Sequence, residues 1–252
     1  MRLDSYLVKI NLFDSRTKAK QAIERREILI NGNICQKCAF EIDENIEYNI
    51  KHVCQEKYVS LGGYKLKKAL TDFDYEVNGK TCIDIGASTG GFTDCLIKNG
   101  AKKVYAVDLN DSLLHKSLSN NSKVVPVIKN VKNLTKTDFF EDIDLIVADL
   151  SFISITQAIP VISSILSDNK ELITLIKPQF EAGEKIRFKN GIIRDKKIQL
   201  SACINAYNCA LENNLTPVAF TTAPISQDKN IEFLMKFIKN GNNPMNISQI
   251  KL

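Results

Sequence analysis

Residues 81–108 read TCIDIGASTGGFTDCLIKNGAKKVYAVD, and this stretch decides the fold. An apolar run, T-C-I-D-I, meets a glycine-bearing loop, a helical segment follows, and a second apolar run, K-V-Y-A-V-D, closes on Asp108. Strand, tight turn, helix and strand form the unit of an open α/β sheet, whose ligands bind outside the carboxyl ends of the strands. Glycine lets a backbone turn tightly against a ligand. D-I-G-A-S-T-G-G-F, residues 84–92, therefore predicts a cofactor loop, with Asp84, Gly86, Ala87, Ser88, Gly90, Gly91 and Phe92 around the ligand.

The spacing is not the dinucleotide G-x-G-x-x-G, and no Lys-Ser/Thr pair follows to hold a phosphate and Mg²⁺. Asp108 lies 24 residues beyond Asp84, about where an acid accepts hydrogen bonds from ribose hydroxyls. A ligand with an adenosine and a cationic amino-acid tail suits an acid such as Asp84 better than a pyrophosphate does, which points to S-adenosylmethionine. A turn without ligand and a nicotinamide cofactor are the alternatives.

Outward from this unit, V-V-P-V-I, D-L-I-V-A-D and L-I-T-L-I-K add three more buried parallel strands. P-V-A-F-T-T and I-E-F-L-M-K-F-I then follow each other with no room for a crossover helix, so they should pair as an antiparallel hairpin. A parallel sheet finished in this way is more typical of class I methyltransferases than of dehydrogenases, by analogy of fold. The expected class is α/β, a Rossmann-like methyltransferase sheet ending in an antiparallel hairpin, preceded by a small α+β domain.

Asp149 ends the fourth of these strands and Lys177 the fifth. Neighbouring strands lie about 4.8 Å apart, so the two side chains can converge on one substrate. Pro178 should hold Lys177 extended and aim its ammonium across the crevice mouth. Taken singly, either charge could instead be half of a surface ion pair.

Leu3, Tyr6, Leu7 and Ile10 recur at helical spacing, and Asp14 or Ser15 can cap a second helix whose apolar side is Ala19, Ala22 and Ile23. Asn31-Gly32 marks a tight hairpin, and Ile46, Tyr48 and Ile50 alternate as a further strand. Residues 1–57 thus read as two helices on a small sheet, 58–62 as a linker and 63–252 as the methyltransferase domain. The first 40 residues hold eight Lys and Arg against four Asp and Glu, which is nearly all of the net charge of +5. Such a localised basic surface suits a polyanion, because neutralising phosphates releases counterions. Arg2, Arg16, Lys18, Lys20, Arg25 and Arg26 are the candidate RNA contacts, with a solvated basic face as the alternative.

At 252 residues, 44% hydrophobic and 25% charged, the composition is that of a folded protein. The amino terminus lacks a secretory signal, and the apolar stretch from Ile143 to Leu166 is broken by Asp144, Asp149 and Pro160, so a cytoplasmic protein without a membrane span is expected. Seven Cys argue for free thiols rather than a disulfide scaffold. Cys35, Cys38, His52 and Cys54 could be written as a zinc set, but their spacing is poor for one, and no metal is expected. His115 reads as a helix residue that faces solvent or packs, and Phe92, Phe152 and Phe180 as core aromatics that could alternatively stack on a base or adenine. Lys185, Arg187, Lys189, Arg194, Lys196 and Lys197 form a second basic stretch, either an RNA-contacting lid or a solvated loop.

These motifs, in order, resemble the TlyA-type ribosomal RNA 2′-O-methyltransferases of the haemolysin A family: R-L-D-S-Y-L with S-R-T-K-A, then S-L-G-G-Y-K-L, D-I-G-A-S-T-G-G-F, V-A-D-L-S-F-I-S, I-K-P-Q-F-E and N-I-E-F. They span nearly the whole chain. The resemblance implies an RNA-binding domain like that of ribosomal small-subunit protein four, a methyltransferase domain and a cytidine in large-subunit rRNA as target. It implies ribosomal RNA or a subunit as partner, with no obligate protein partner evident. It also carries a Lys-Asp-Lys-Glu catalytic set onto Lys65, Asp149, Lys177 and Glu232, and an adenine contact onto Asn130. Where the family has Arg before its glycine pair, this chain has Leu61, and its segment after the third strand reads K-N-V-K-N-L.

A ribose 2′-hydroxyl is a poor nucleophile until a base removes its proton, whereas a sulfonium methyl needs only in-line attack. Lys177 is the expected base. Burial and the second ammonium of Lys65 favour loss of its own proton, while Asp149 and Glu232 oppose it and so should orient the lysines and the hydroxyl. The rival readings are a non-catalytic ribosome-associated RNA-binding factor and a membrane-active haemolysin. The latter is disfavoured by the lack of an amphipathic membrane helix.

Overall fold

The computed structural model describes residues 1–24, 27–35, 37–52, 58–182, 191–224 and 229–252. Its contacts divide the chain into two units, Met1–Lys57 and Tyr58–Leu252.

In the first unit, helices α1 (Leu3–Lys9) and α2 (Arg16–Glu24) accompany a sheet of β1 (Ile28–Ile30), β2 (Asn33–Ile34) and β3 (Ile50–His52), in the antiparallel order β2-β1-β3. Leu3, Leu7, Ala19, Ala22, Ile23, Ile28, Ile30 and Ile42 form its core. The hairpin turns at Asn31 (φ 49°) and Gly32 (φ 82°), the paired positive angles for which Asn-Gly is suited. Ser15 caps α2 by accepting a hydrogen bond from Lys18 N through Oγ.

One expected strand is shorter than its alternation suggests. Of Ile46, Tyr48 and Ile50, only Ile50 is in β3, and Ile46 is exposed. Asp43 explains this. Its Oδ1 accepts from Asn45 N at 3.0 Å, and its carbonyl accepts from Ile46 N at 3.1 Å, so a side-chain-supported turn replaces extended backbone there.

In the second unit, β4 (Thr81–Ile85), β5 (Lys103–Asp108), β6 (Val124–Ile128), β7 (Leu145–Ala148), β8 (Glu171–Ile176), β9 (Leu215–Thr222) and β10 (Phe233–Lys239) form one sheet in the order β6-β5-β4-β7-β8-β10-β9. The first five strands are parallel, and β10 is antiparallel to both β8 and β9. The expected α/β class and terminal hairpin are therefore present. Pro126 and Pro217 lie on the edge strands β6 and β9, where a missing N–H costs the ladder least.

Helices α3 (Gly62–Asp72) and α4 (Gly91–Lys98) pack on one face with Leu66, Cys82, Leu96, Leu145 and Ile173. α6 (Ile159–Ile165) and α8 (Lys196–Glu212) pack on the other with Ile83, Ile146, Leu172 and Ala206. Short helices α5 (Lys116–Ser119) and α7 (Pro178–Glu181) complete the unit. The strand order reverses between β4 and β7, so a crevice opens at their carboxyl ends. Because β10 runs antiparallel, its amino end reaches this same edge: Phe233 pairs with Ile176, which brings Glu232 close to Lys177. Among the described residues no helix is long and apolar enough to cross a membrane.

Candidate active site

The loop after β4 is shaped by close approach. Gly86 has φ 82°, and a Cβ built there would stand 2.6 Å from the Asp149 carbonyl oxygen, so any side chain would force β4 and β7 apart. Gly90 caps α4 at φ 92°. Between them Ser88 also has a positive φ, and its amide donates to Asp108 Oδ2 at 2.8 Å, which ties the first loop to the tip of β5.

A cleft of about 480 Å³ lies along these tips. Gly86, Ser88, Asp108, Asn130 and Asp149 line it, with Leu109, Leu113, Val131, Leu150 and Phe152 as apolar wall. Its size and its few convergent polar groups are those of a small-molecule site. Asp108 is oriented by two backbone amides, Ser88 N on Oδ2 and Leu109 N on Oδ1 at 2.7 Å, and each oxygen retains a lone pair for a ribose hydroxyl. Asn130 caps the 3₁₀ turn 131–133 by accepting from Lys132 N through Oδ1 at 3.0 Å. Leu109 and Leu113, 67% and 50% exposed, give the cleft an apolar surface on which a flat ring could lie. These residues fit an adenosine-bearing cofactor.

A second cavity, lined by Ser60, Gly62, Lys65, Ala87, Thr89, Gly91, Phe92 and Lys177, shares Gly86, Ser88, Asp149 and Ser151 with the cleft. Lys177 is buried; its Nζ lies 2.6 Å from Asp149 Oδ1 and donates to Ser151 Oγ at 2.8 Å. Lys177 is extended (φ −110°, ψ 100°) and α7 starts at Pro178, as the proline dictates. Across the cavity Lys65 Nζ sits 2.5 Å from Glu232 Oε2, and Gln179 Nε2 donates to Glu232 Oε1 at 3.4 Å. Two ion pairs, each of one lysine and one carboxylate, thus stand at the sheet edge around a space open to substrate.

Asp84 sits elsewhere than the loop mouth. Alternation along β4 places it on the face of Cys82, beneath α4, where it is fully buried and accepts from Thr93 Oγ1 at 2.6 Å. Burial pushes its carboxyl up to about 7, and the nearby Asp149 and Asp108 add to this. Phe92 is buried in the core and lines only the smaller cavity. Phe152 is 88% exposed with φ 68°, in contact with Phe180 at 5.4 Å between ring centroids, so the core reading fails for Phe152. The reason is the left-handed backbone at Phe152, which turns its side chain out of the sheet.

Of the candidate RNA contacts, Arg2 and Arg16 both bond the buried carboxylate of Asp4 at 3.1 Å, Lys18 pairs with Asp14 and Lys20 with Glu24. All four remain more than half exposed. Arg25 and Arg26 lie outside the described residues, as do Cys54, Lys185, Arg187 and Lys189. Cys35 and Cys38 pack against the small core, and His52 Nε2 is 3.3 Å from Glu27 Oε2. Among the described residues no three His, Cys, Asp or Glu are grouped as a metal would need. His115 is exposed, but it caps α5 rather than lying within it, accepting from Ser117 N.

Sequence reasoning missed Ser151, which partners Lys177, and the apolar pair Leu109 and Leu113. Ser151 stands two residues after Asp149 in the D-L-S-F run, and Leu109 directly follows Asp108, so motif adjacency was the available signal.

Comparison with known proteins agrees with this geometry. The family described as FtsJ-like methyltransferase matches residues 58–238, and the S4 domain matches residues 1–45. A Brachyspira hyodysenteriae protein named "Hemolysin A" is 42% identical, over 94% of this chain and 100% of its own length. The Mycobacterium tuberculosis 16S/23S rRNA (cytidine-2'-O)-methyltransferase TlyA is 32% identical, over 93% of this chain and 88% of its own. The Campylobacter jejuni 23S rRNA (cytidine-2'-O)-methyltransferase TlyA is 34% identical, over 95% of this chain and 100% of its own.

Proposed function

We propose that this chain, which belongs to the TlyA/haemolysin A family of FtsJ-like methyltransferases bearing an S4 domain, methylates the ribose 2′-hydroxyl of a cytidine in ribosomal RNA. S-adenosylmethionine is the donor. Large-subunit rRNA is the proposed target, supported by the relative whose printed name gives 23S rRNA alone and whose whole length this chain covers. Such a substrate would keep the enzyme with ribosomes in the cytoplasm.

The single observation that carries the reading is the Lys177–Asp149 pair at the mouth of a cleft suited to adenosine. When bound, the cofactor supplies a methyl group on a sulfonium, already activated for attack. Asp108 would accept from the ribose hydroxyls, Asn130 would meet the adenine, and Leu109 and Leu113 would cover its faces. The glycine loop, from Gly86 through Ala87 and Ser88 to Gly90 and Gly91, would take the amino-acid tail, with Phe92 and Asp84 supporting that loop from beneath.

At the substrate side, Lys177 Nζ acts as the base that takes the proton of the ribose 2′-hydroxyl. Asp149 fixes the amine by its charge contact at 2.6 Å, and Ser151 accepts a hydrogen bond from it. Lys65, held by Glu232, offers an ammonium to the oxygen as negative charge develops there. Positioned proton transfer of this kind contributes about 10²–10⁴ in rate. Arg2, Arg16, Lys18 and Lys20, with Arg25 and Arg26 of the same segment, would grip RNA phosphates; Lys18 and Lys20 exchange their exposed ion pairs for phosphate contacts at little cost, while Arg2 and Arg16 reach phosphates beside the Asp4 carboxylate they share.

The test is incubation with unmodified rRNA and methyl-labelled S-adenosylmethionine, followed by alkaline hydrolysis. A blocked 2′-hydroxyl cannot attack its own phosphodiester, so label in an alkali-resistant dinucleotide is the expected result. Label released in a mononucleotide would place the methyl on a base and overturn the reading.

A further inference from the structure

We propose that Glu181, a residue outside the catalytic set, is the positioning residue that holds the Asp149–Ile155 loop in its cofactor-binding shape. The proposal rests on the reading of the 480 Å³ cleft as the S-adenosylmethionine site.

Five consecutive residues of that loop, Asp149 to Ile153, line the cleft. The loop is anchored to the segment after β8 at two points. At its start, Lys177 Nζ meets Asp149 Oδ1 and Ser151 Oγ. At its end, Glu181 Oε1 accepts from Ile155 N at 2.8 Å, and Glu181 Oε2 accepts from the Ser154 hydroxyl. Both anchors come from one short piece of chain, since α7 begins directly after Lys177 and ends with Glu181.

Phe152 sits at the apex between the anchors, with φ 68°. A bulky residue in the left-handed region is strained and persists only where its surroundings over-determine it. With its ring 88% exposed, Phe152 has little packing of its own to supply that restraint. The restraint comes from the loop's ends, and Glu181 provides the one that is not part of the reacting group. Its carboxylate gives both oxygens to this loop, and Glu181 itself does not line the cleft. It acts by keeping the cleft wall in place. Without it, the loop relaxes toward ordinary φ values, and Leu150, Phe152 and Ile153 leave the wall.

The experiment is calorimetric titration of the full-length protein with S-adenosylmethionine in the absence of RNA, with Tm recorded for each variant. Glu181→Ala is expected to weaken cofactor binding about tenfold or more, the order set by losing hydrogen bonds to a charged group. Glu181→Gln, which still offers one acceptor to Ile155 N, should recover most of the affinity, and Ser154→Ala, which removes one of the two donors, should fall between. In steady-state assays the KM for the cofactor should rise more than kcat falls. Wild-type affinity in Glu181→Ala and Ser154→Ala would overturn the proposal, as would a lowered Tm with unchanged cofactor KM. If Glu181→Ala does not fold, the Ser154→Ala affinity decides by the same criterion. Failure of the wild-type protein itself to bind the cofactor would instead reject the reading of the cleft.

Discussion

Lys65 and Glu232, 167 residues apart in the chain, meet at 2.5 Å between the first turns of α3 and the amino end of β10. The contact exists because β10 alone runs against the other strands of the sheet, which delivers the start of a late strand to the edge where the parallel strands end. Both side chains are mostly withdrawn from solvent, at 23% and 14% exposure, so removing one leaves the other charge buried without its partner.

Lys65→Met and Glu232→Gln should therefore each destabilise the protein by about 3 kcal/mol, and the double variant by clearly less than the sum. Urea denaturation of the four proteins of the cycle measures this. Additive losses would mean that the pair is not energetically coupled.

Gly86→Ala should abolish cofactor binding while the protein still folds. The new Cβ would stand 2.6 Å from the Asp149 carbonyl oxygen at a φ of 82°, so the β4 and β7 tips must separate where the cleft lies. Calorimetry with the methyl donor, alongside circular dichroism, separates loss of binding from loss of fold.

Asp84 gives the protein a stability dependence opposite in sign to that of an ordinary ion-paired carboxylate. Burial raises its folded-state value to about 7, against 3.8 for the free group, so between these limits the folded state holds a proton that the unfolded chain has lost. Its contribution therefore falls as pH rises through that window. Asp84→Asn removes the effect, and the Tm of the variant relative to wild type should climb from pH 5 to pH 8. A constant difference would show that Asp84 is ionised throughout.

Arg16→Ala should weaken rRNA binding and lower the slope of log affinity against log salt by roughly 0.7–0.9, the value for one phosphate contact. Filter binding at several salt concentrations reads this directly. An unchanged slope would assign Arg16 to its ion pair with Asp4 alone.

Much of this architecture was legible in the chain because it follows from local rules. The apolar runs ending on Asp108, Asp149 and Lys177 are strands β5, β7 and β8, and the Asn31-Gly32 dipeptide is a turn with two positive φ angles. The convergence of Asp149 and Lys177 followed from neighbouring strand tips. What escaped depends on side-chain direction and on partners far along the chain. Strand alternation turns Asp84 under α4, although the loop it opens faces the cleft. Ile46 alternates like a strand residue, but Asp43 closes a turn across it. The exposure of Phe152 follows from one backbone angle, and the grip of Glu181 on Ile155 spans 26 residues with no periodicity to betray it.

The central claim is that the Lys177 amine, set against Asp149, takes the proton of the ribose hydroxyl. Single-turnover methyl transfer by Lys177→Ala, with S-adenosylmethionine affinity measured on the same preparation, tests it most directly. The account predicts a fall in transfer of at least about 10² at saturating cofactor, well beyond any fall in affinity from the lost anchor on Asp149 and Ser151. Transfer at the wild-type rate, or rate and affinity lost in equal measure, would contradict it.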